Sequence, residues 1–290
     1  CAVSQDYEFT RNNFESDSKP CRILSVGCGD GDVEIALAKS LRDAGIDNLR
    51  LEAADISPVL IERFKEKLPA HGLQAYVFPS VIDINTSEIE TGYDLIIANH
   101  SLHHMVDLEK TFDRIHASLS DDGIFATSDM IGRNGHMRWP EAAVMLQVIW
   151  PLLSEQQRFH HQLLKHDAET FVDYDCSSEG FEGIRAQDIL YLILNRFYPH
   201  RFFGFGGFID VLTDRGYGPG FVVENEWDRS FIEAFAKIND MMLDGGMIKP
   251  TQMFGYFTKT QRESVYYRSR TAHASVRMPY DQPEWVKFYT

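Results

Sequence analysis

Several side chains in this sequence have both the chemistry and the placement to move a proton. His103 and His104 are adjacent, His136 lies in a polar and aromatic stretch, and Asp129 follows a short apolar run. Histidine is the side chain whose pKa suits proton transfer near neutral pH, and the carboxyl end of a buried strand is where open sheets bind ligands. The candidates for a general base are His103, His104, His136, His160, His161 and Asp129.

Each histidine also has an ordinary structural explanation. One ring of the His103–His104 pair could pack under a ligand while the other caps a helix. His160 and His161 lie in a segment with helical periodicity, where only one of two consecutive side chains can face a cleft. The residue types therefore define a set of candidates and leave the choice of base open.

A glycine-rich segment, Gly27-Cys28-Gly29-Asp30-Gly31, follows the apolar run at 22–26. Glycine lets backbone N–H groups approach a polar ligand closely, because it has no side chain to hold the ligand away. A nicotinamide fingerprint would place its third glycine at position 32, where this chain has aspartate. A P-loop is excluded because no Gly-Lys-Ser/Thr follows.

The elements around these residues alternate between strand and helix in the first half of the chain. Apolar runs predict strands over 22–26, 49–56, 74–78, 93–98 and 124–128. Helices are predicted between them, one with Val33, Ala36, Leu37, Ser40 and Leu41 on its buried face, one capped by Ser57 with Pro58 after it, and one capped by Asp107. This alternation predicts a doubly wound α/β fold.

The alternation stops after residue 130 and resumes near residue 185. Helical periodicity over 142–153 and 156–164 predicts a helical insertion that covers the ligand cleft. Closing elements follow, with helices over 185–196 and 227–243 and strands over 200–204 and 251–257. We divide the chain into an N-terminal arm (1–20), a core (21–130), a helical insertion or lid (131–184), closing strands and helices (185–257) and a polar C-terminal tail (258–290).

Four segments in this order resemble the class I, Rossmann-like, S-adenosylmethionine-dependent methyltransferases. They are Leu24-Ser25-Val26-Gly27-Cys28-Gly29-Asp30-Gly31, Ala54-Asp55-Ile56-Ser57, Tyr93-Asp94-Leu95-Ile96 and Leu102-His103-His104. The resemblance covers residues 20–130 well. It implies a seven-stranded, mostly parallel sheet with an antiparallel last strand.

The resemblance also implies a cofactor, S-adenosyl-L-methionine, which becomes S-adenosyl-L-homocysteine in the reaction. It places the glycine loop on the amino acid part of the cofactor, Asp55 on the ribose hydroxyls and Asp83 on the adenine amino group, although each aspartate also suits a simple turn. One departure is Ser25, where many family members carry an acid. The expected cofactor-binding residues are Gly27, Cys28, Gly29, Gly31, Asp55, Ile56, Asp83, Ile84, Asn99 and His100.

The methyl acceptor is constrained mainly by charge. A net charge of -15 and a pI near 5.1 disfavour a nucleic acid substrate. The chain has Asn99-His100-Ser101-Leu102 where methyltransferases of exocyclic nucleobase nitrogens carry Asn/Asp-Pro-Pro-aromatic. We expect O-methylation of a small-molecule or glycosyl acceptor. N- or C-methylation of a metabolite, and a regulator that binds the cofactor without turnover, remain open.

Two segments of the insertion could form the acceptor wall. Arg133, His136, Arg138 and Trp139 suit a sugar or aromatic acceptor, but they could also begin an amphipathic helix. Glu179 and Glu182 could line the pocket, or Glu182 could simply begin the next helix. Each segment therefore has both a functional and a structural explanation.

The remaining expectations concern the environment of the chain. No apolar run reaches the length of a bilayer-spanning helix, and the first twenty residues are polar, so we expect a cytoplasmic protein without a membrane partner. The cysteines lack metal-ligand spacing, and we expect no metal. The insertion and the tail are the segments through which we expect any homo-oligomer to form.

Overall fold

A computed structural model describes residues 19–166 and 169–289 of the chain. Residues 1–18 of the predicted N-terminal arm lie outside the described residues. The strands are β1 (Cys21–Val26), β2 (Leu49–Asp55), β3 (Val77–Val81), β4 (Tyr93–Asn99), β5 (Leu119–Met130), β6 (Phe159–His160), β7 (Lys165–His166), β8 (Tyr198–Phe205), β9 (Gln252–Thr258) and β10 (Val265–Tyr266).

Helices separate most of these strands. They are α1 (Asp32–Asp43), α2 (Pro58–His71), α3 (Leu108–Ser118), α4 (Pro140–Ile149), α5 (Ala186–Leu194), α6 (Ile209–Thr213), α7 (Glu226–Asp244) and α8 (Ala272–Ser275). The predicted caps form where the sequence indicates them: Ser57 accepts from the N–H of Leu60, and Asp107 accepts from the N–H of Lys110.

One large sheet organises the molecule, in the order β10-β8-β9-β5-β4-β1-β2-β3. All neighbouring pairs are parallel except those of β9, which runs antiparallel to both β5 and β8. The predicted doubly wound, mostly parallel α/β fold with an antiparallel last strand is confirmed. The described sheet has eight strands rather than seven, because the two-residue β10 joins its edge from the predicted tail.

The order of strands creates a crevice beside β1. The chain moves outward from β1 to β2 and β3 on one side and to β4 and β5 on the other. Parallel strands end at the same edge, so the residues that follow β1, β2, β4 and β5 meet there. The predicted site residues occupy this edge.

The buried face of α1 differs from the prediction. Val33, Ala36 and Ser40 are exposed, whereas Ile35 and Ala38 pack against the sheet, together with Leu41 and Glu34. Two overlapping apolar stripes have helical spacing in this segment, and the contact with the sheet selects the second one.

Two further predicted elements differ from those in the structure. The third strand begins at Val77, because α2 ends in a left-handed Gly72 and the N–H groups of Tyr76 and Val77 both bond to Leu73. The helix predicted over 156–164 is wrong, since this stretch enters the β6–β7 hairpin. Leu164 has a φ of 50° in the hairpin turn, which no continuing helix allows.

The insertion does not cover the sheet edge by itself. Its helix α4 and the following residues share a second hydrophobic core with α6 and α7, and the centre of this core is Trp150, 5.1 Å from the rings of both Phe171 and Tyr217. We call this unit, residues 140–166, 169–171 and 208–248, the cap. The domain boundaries drawn from the sequence stay predictions.

The predicted tail packs on the body of the protein. Arg277 forms a buried ion pair with Glu141 at the start of α4, with 2.9 Å between Nε and Oε1. Arg270 binds Asp240 and Asp244 at the end of α7. These ion pairs therefore hold the tail against two helices of the cap, α4 and α7. No helix in the described part of the chain is both long and apolar enough to cross a membrane.

Candidate functional site

The glycine loop after β1 adopts a left-handed backbone that residues with side chains rarely take. Gly27, Gly29 and Gly31 have φ values of 70°, 56° and 83°. A Cβ on Gly27 would lie 2.4 Å from the Cβ of Ser101, and a Cβ on Gly31 would lie 2.2 Å from the ring of Phe64. The loop is therefore a narrow cradle of bare backbone at the sheet edge.

Asp55 ties the second strand to this loop. Its Oδ2 accepts from the N–H of Gly29 at 2.9 Å, and its Oδ1 accepts from the N–H of Ser57 at 2.8 Å. Each carboxylate oxygen has a further lone pair that could accept from a ligand hydroxyl. Ile56 next to it is 69% exposed. Burial raises the pKa of the Cys28 thiol well above its usual range, so the thiol in the loop stays neutral.

Asp83 and Ile84 follow β3. Asp83 accepts from the backbone and side-chain nitrogens of Asn85, at 2.8 and 3.1 Å, so it does form the turn that its sequence context allows. The backbone hydrogen bond of Asn85 is the main reason that the pKa of Asp83 is lowered. Ile84 is 7% exposed and packs in the main core. The contacts predicted for both residues with an adenine ring stay predictions.

Asn99 and His100 lie at the end of β4, as predicted. His100 has a φ of 48°, and its N–H bonds to the carbonyl of Ser128 on β5 at 2.8 Å. The exposed ring of His100 lies 6.3 Å from the ring of His103. A strained backbone at the carboxyl end of a strand is common at binding sites.

The centre of the site is a buried pair, His103 and Asp129. His103 lies in a short 3₁₀ helix after β4, and its Nδ1 is 2.6 Å from Oδ1 of Asp129 on β5. Oδ2 of Asp129 accepts from the N–H groups of Ser101 and Leu102, at 3.0 and 2.8 Å. Asp129 therefore fixes both the backbone and the ring of His103.

Glu182 lies among three histidine rings. Its Oε1 is 2.7 Å from Nε2 of His136 and 3.6 Å from Nε2 of His103, and its Oε2 is 3.5 Å from Nδ1 of His104. His136 reaches this position with a φ of 57°, and a Cβ on Gly183 would come within 3.0 Å of its ring. The structure thus brings His103, His104, His136 and Asp129 together with Glu182.

The pKa values of His103 and His136 shift in opposite directions, because the two rings have different surroundings. Burial lowers the pKa of His103, but the hydrogen bond and charge of Asp129, with the charge of Glu182, outweigh it and raise the pKa above its usual value. Burial lowers the pKa of His136 despite its bond to Glu182. The pKa of Glu182 is lowered, because the three imidazoles outweigh its partial burial.

The same cluster has a donor set that could hold a metal ion. One ligand atom each from His103, His104 and Glu182 lies within 4.8 Å of the others. Imidazole and carboxylate donors suit zinc and related transition metals. The sequence names all three residues as candidates but does not show that they meet, since Glu182 is far from the histidine pair in the chain, and the expected absence of a metal stays a prediction.

A cavity of about 760 Å³ opens above this cluster, between the sheet edge and the cap. Its floor includes His103, His136 and Glu182. Its walls combine aromatic side chains, such as Phe171 and Tyr217, with charged ones. Its volume suits a small-molecule ligand. His160 lines it from the hairpin, while His161 is absent from its lining.

The predicted acceptor wall is therefore only partly in place. Arg138 lines the cavity together with His136, but Trp139 is 3% exposed and packs under Arg277, whose guanidinium lies 4.6 Å from the ring centre. Arg133 is absent from the lining. Glu182, which the sequence left open as a pocket residue or as the start of the next helix, does line the cavity.

Comparisons with known proteins agree with this architecture. A family model described as a methyltransferase domain matches residues 24–125. Malonyl-[acyl-carrier protein] O-methyltransferase of Acetivibrio thermocellus is 30% identical over 162 residues, 56% of this chain and 53% of that relative. Carboxy-S-adenosyl-L-methionine synthase of Nautilia profundicola is 33% identical over 124 residues, 41% of this chain and 47% of that relative. The chain thus spans about half the length of these curated relatives.

A solved structure resembles the chain over a larger part of its length. It is the O-methyltransferase from a trans-AT PKS multienzyme of Brevibacillus brevis, in complex with S-adenosyl-L-homocysteine. The similarity has a TM-score of 0.50 at 14% identity and covers 89% of this chain and 71% of that one. At this identity the likeness concerns the fold and not the acceptor.

Proposed function

We propose that this chain, which matches a methyltransferase domain over residues 24–125, is a class I S-adenosylmethionine-dependent methyltransferase and transfers the methyl group of this cofactor to a hydroxyl oxygen of a small-molecule or glycosyl acceptor. The acceptor binds in the cavity between the sheet edge and the cap. The observation that carries the proposal is the His103–Asp129 pair on the cavity floor, with 2.6 Å between Nδ1 and Oδ1.

The residues of the sheet edge fit the cofactor. The glycine loop has no side chain at Gly27, Gly29 or Gly31, and the space beside Gly29 is open, so its backbone can lie against the amino acid part of the cofactor. Asp55 is held by two backbone N–H groups and retains lone pairs for the ribose hydroxyls. When bound, the cofactor supplies an electrophilic methyl group on a positively charged sulfur.

The His103–Asp129 pair can take the acceptor proton. In the neutral form of His103, Nδ1 donates to the Asp129 carboxylate, and the lone pair is then on Nε2, which lies 3.6 Å from Glu182 on the cavity side. When the methyl group moves to the acceptor oxygen, its bond to the cofactor sulfur would break and leave a neutral thioether. Nε2 of His103 would take the acceptor proton, and Asp129 would stabilise the imidazolium that results. Alignment of the acceptor supplies much of the remaining rate.

The two carboxylates beside His103 favour a neutral acceptor at this end of the cavity, whose lining elsewhere includes Arg138, Lys165 and Arg215. Asp129 and Glu182 both lie beside His103, and a carboxylate acceptor would bring a third negative charge to the same place. The malonyl group named in the Acetivibrio relative is such an acid. A hydroxyl avoids the repulsion and needs the base that the site provides, so we propose a different acceptor class for this chain.

Methyl transfer from labelled S-adenosylmethionine tests this proposal. The assay uses pools of hydroxylated metabolites and glycosides beside pools of amines and of carboxylic acids, with mass spectrometry of the labelled product. We expect label in a hydroxyl acceptor, and loss of turnover in His103→Gln but not in the matched control His71→Gln, which changes an exposed histidine at the end of α2. Label found only on nitrogen, carbon or carboxylate acceptors would overturn the proposal.

A further inference from the structure

The spacing of the ligand atoms on the cavity floor is close to that of a zinc site. Nε2 of His103 is 3.6 Å from Oε1 of Glu182, and Nδ1 of His104 is 3.5 Å from Oε2. In a tetrahedral site with bonds of about 2.0–2.1 Å to zinc, two ligand atoms lie about 3.3–3.4 Å apart. Small movements of these side chains would therefore let all three bind the same ion.

Asp129 holds His103 in the orientation that a metal needs. Histidines that bind metals in proteins usually donate their other ring N–H to a carboxylate or carbonyl, which fixes the ring and makes the free nitrogen a better ligand. Nδ1 of His103 is 2.6 Å from Oδ1 of Asp129, and both side chains are buried. The free nitrogen, Nε2, then lies on the side of Glu182.

The other two ligands are held less rigidly but are available. Nε2 of His136 is 2.7 Å from Oε1 of Glu182, and this hydrogen bond positions the carboxylate with Oε2 beside His104. Nδ1 of His104 is 3.2 Å from the carbonyl oxygen of Phe181, and the side chain of His104 is 45% exposed. A metal ion can therefore replace this single hydrogen bond without disturbing a buried contact.

We propose that His103, His104 and Glu182 bind a zinc ion, and that this ion inhibits methyl transfer. All three residues line the cavity, so the fourth ligand position of the metal is open to water from the cavity. Zinc and the acceptor proton compete for the same lone pair on Nε2 of His103, so the zinc-bound chain has no base. Zinc binding follows from the geometry alone, whereas the inhibition rests on the proposed function. This site departs from the sequence-based expectation that the chain binds no metal.

Titration of the chelator-treated chain with zinc tests the site without any acceptor. We expect the affinity for zinc to fall at least about 30-fold in His104→Gln and in Glu182→Gln, since even the loss of a residue that only orients a ligand costs about 10–100-fold. The matched control is His160→Gln, which changes a histidine of the same cavity outside the cluster and should alter the affinity less than about threefold. Thermal unfolding checks the fold of each variant. Unchanged affinity in both ligand variants, or an equal loss in the control, would overturn the site.

Methyl transfer with the acceptor found in the labelling assay tests the inhibition. At a zinc concentration about 100 times its Kd, the wild-type rate should fall about 100-fold, and an added chelator should restore it. A rate that bound zinc leaves unchanged or raises would overturn the inhibition. If no acceptor is methylated with or without zinc, the proposed function fails and the inhibition fails with it, whereas the zinc titration still decides the site.

Discussion

Replacing Asp129 with asparagine should stop His103 from acting as a base while leaving its ring in the same position. Oδ2 of Asp129 accepts two backbone N–H groups, from Ser101 and Leu102, whereas Oδ1 faces Nδ1 of His103 and the N–H of Met130. An amide nitrogen at Oδ2 would oppose two donors, so the variant will place it at Oδ1. There it donates to Nδ1 of His103, which moves the ring proton to Nε2 and leaves no lone pair for the acceptor.

The size of this effect follows from the tautomer. A ring held in the wrong tautomer by an Asp→Asn change lowers kcat by about 10³–10⁴, or about 4–5.5 kcal/mol in the activation barrier. The N–H of Met130 also loses its acceptor, which costs about 1–3 kcal/mol of stability. Asp129 raises the pKa of His103, so the pKa of this ring should be lower in the variant than in the wild type. The pH at which any residual activity rises should therefore also be lower in the variant.

Two assays check this prediction. Nitrogen-15 NMR of histidine-labelled protein reads the tautomer of His103 directly and needs no acceptor. Initial rates of methyl transfer then give kcat, with Asp43→Asn on the exposed side of α1 as the matched control. If Asp129→Asn kept the wild-type rate, or kept the proton on Nδ1 of His103, the reasoning would be refuted.

Three further changes test other parts of the structure. Asp55→Ala should weaken the binding of S-adenosylhomocysteine at least about 30-fold in calorimetry, because charge-assisted hydrogen bonds are lost; unchanged affinity would remove Asp55 from the site. Gly31→Ala should lower the free energy of unfolding in urea by about 2–4 kcal/mol, since the φ of this residue is 83° and its Cβ would meet Phe64. Equal stability of the variant and the wild type would contradict the described geometry of the loop. Arg277→Met should cost about 3–5 kcal/mol because it leaves Glu141 buried alone, and Glu141→Leu in the same chain should recover most of this; an unaltered melting temperature in the single variant would contradict the account of the tail.

The parts of the fold that the sequence predicts are those with local causes. Ser57 and Pro58 start α2 by capping chemistry that involves only their own neighbours, and the glycine spacing after β1 requires the left-handed backbone that is seen. The prediction of the buried face of α1 was wrong because the helix has two overlapping apolar stripes, and only the contact with the sheet decides which one is buried. The hairpin at 159–166 replaces a predicted helix for a similar reason, since its strands pair with each other and its turn is set by Leu164.

The candidate site divides in the same way. His103 and Asp129 were candidates because each follows a strand, and parallel topology brings such positions together. Glu182 could not be ranked, because it meets His136 across 46 residues of chain and no periodicity links them. The hydrogen bond between Ser25 and Glu34 was equally hidden, since the two residues lie on different elements.

The most direct test of the account is an experimental structure with S-adenosylhomocysteine bound. We expect the ribose hydroxyls on Asp55, the amino acid part over the glycine loop, and the sulfur pointing into the cavity, with Nε2 of His103 across a gap that admits one acceptor hydroxyl. A sulfur atom turned away from the cavity, with His103 unable to reach an acceptor placed in line with it, would contradict the claim that His103 and Asp129 serve methyl transfer.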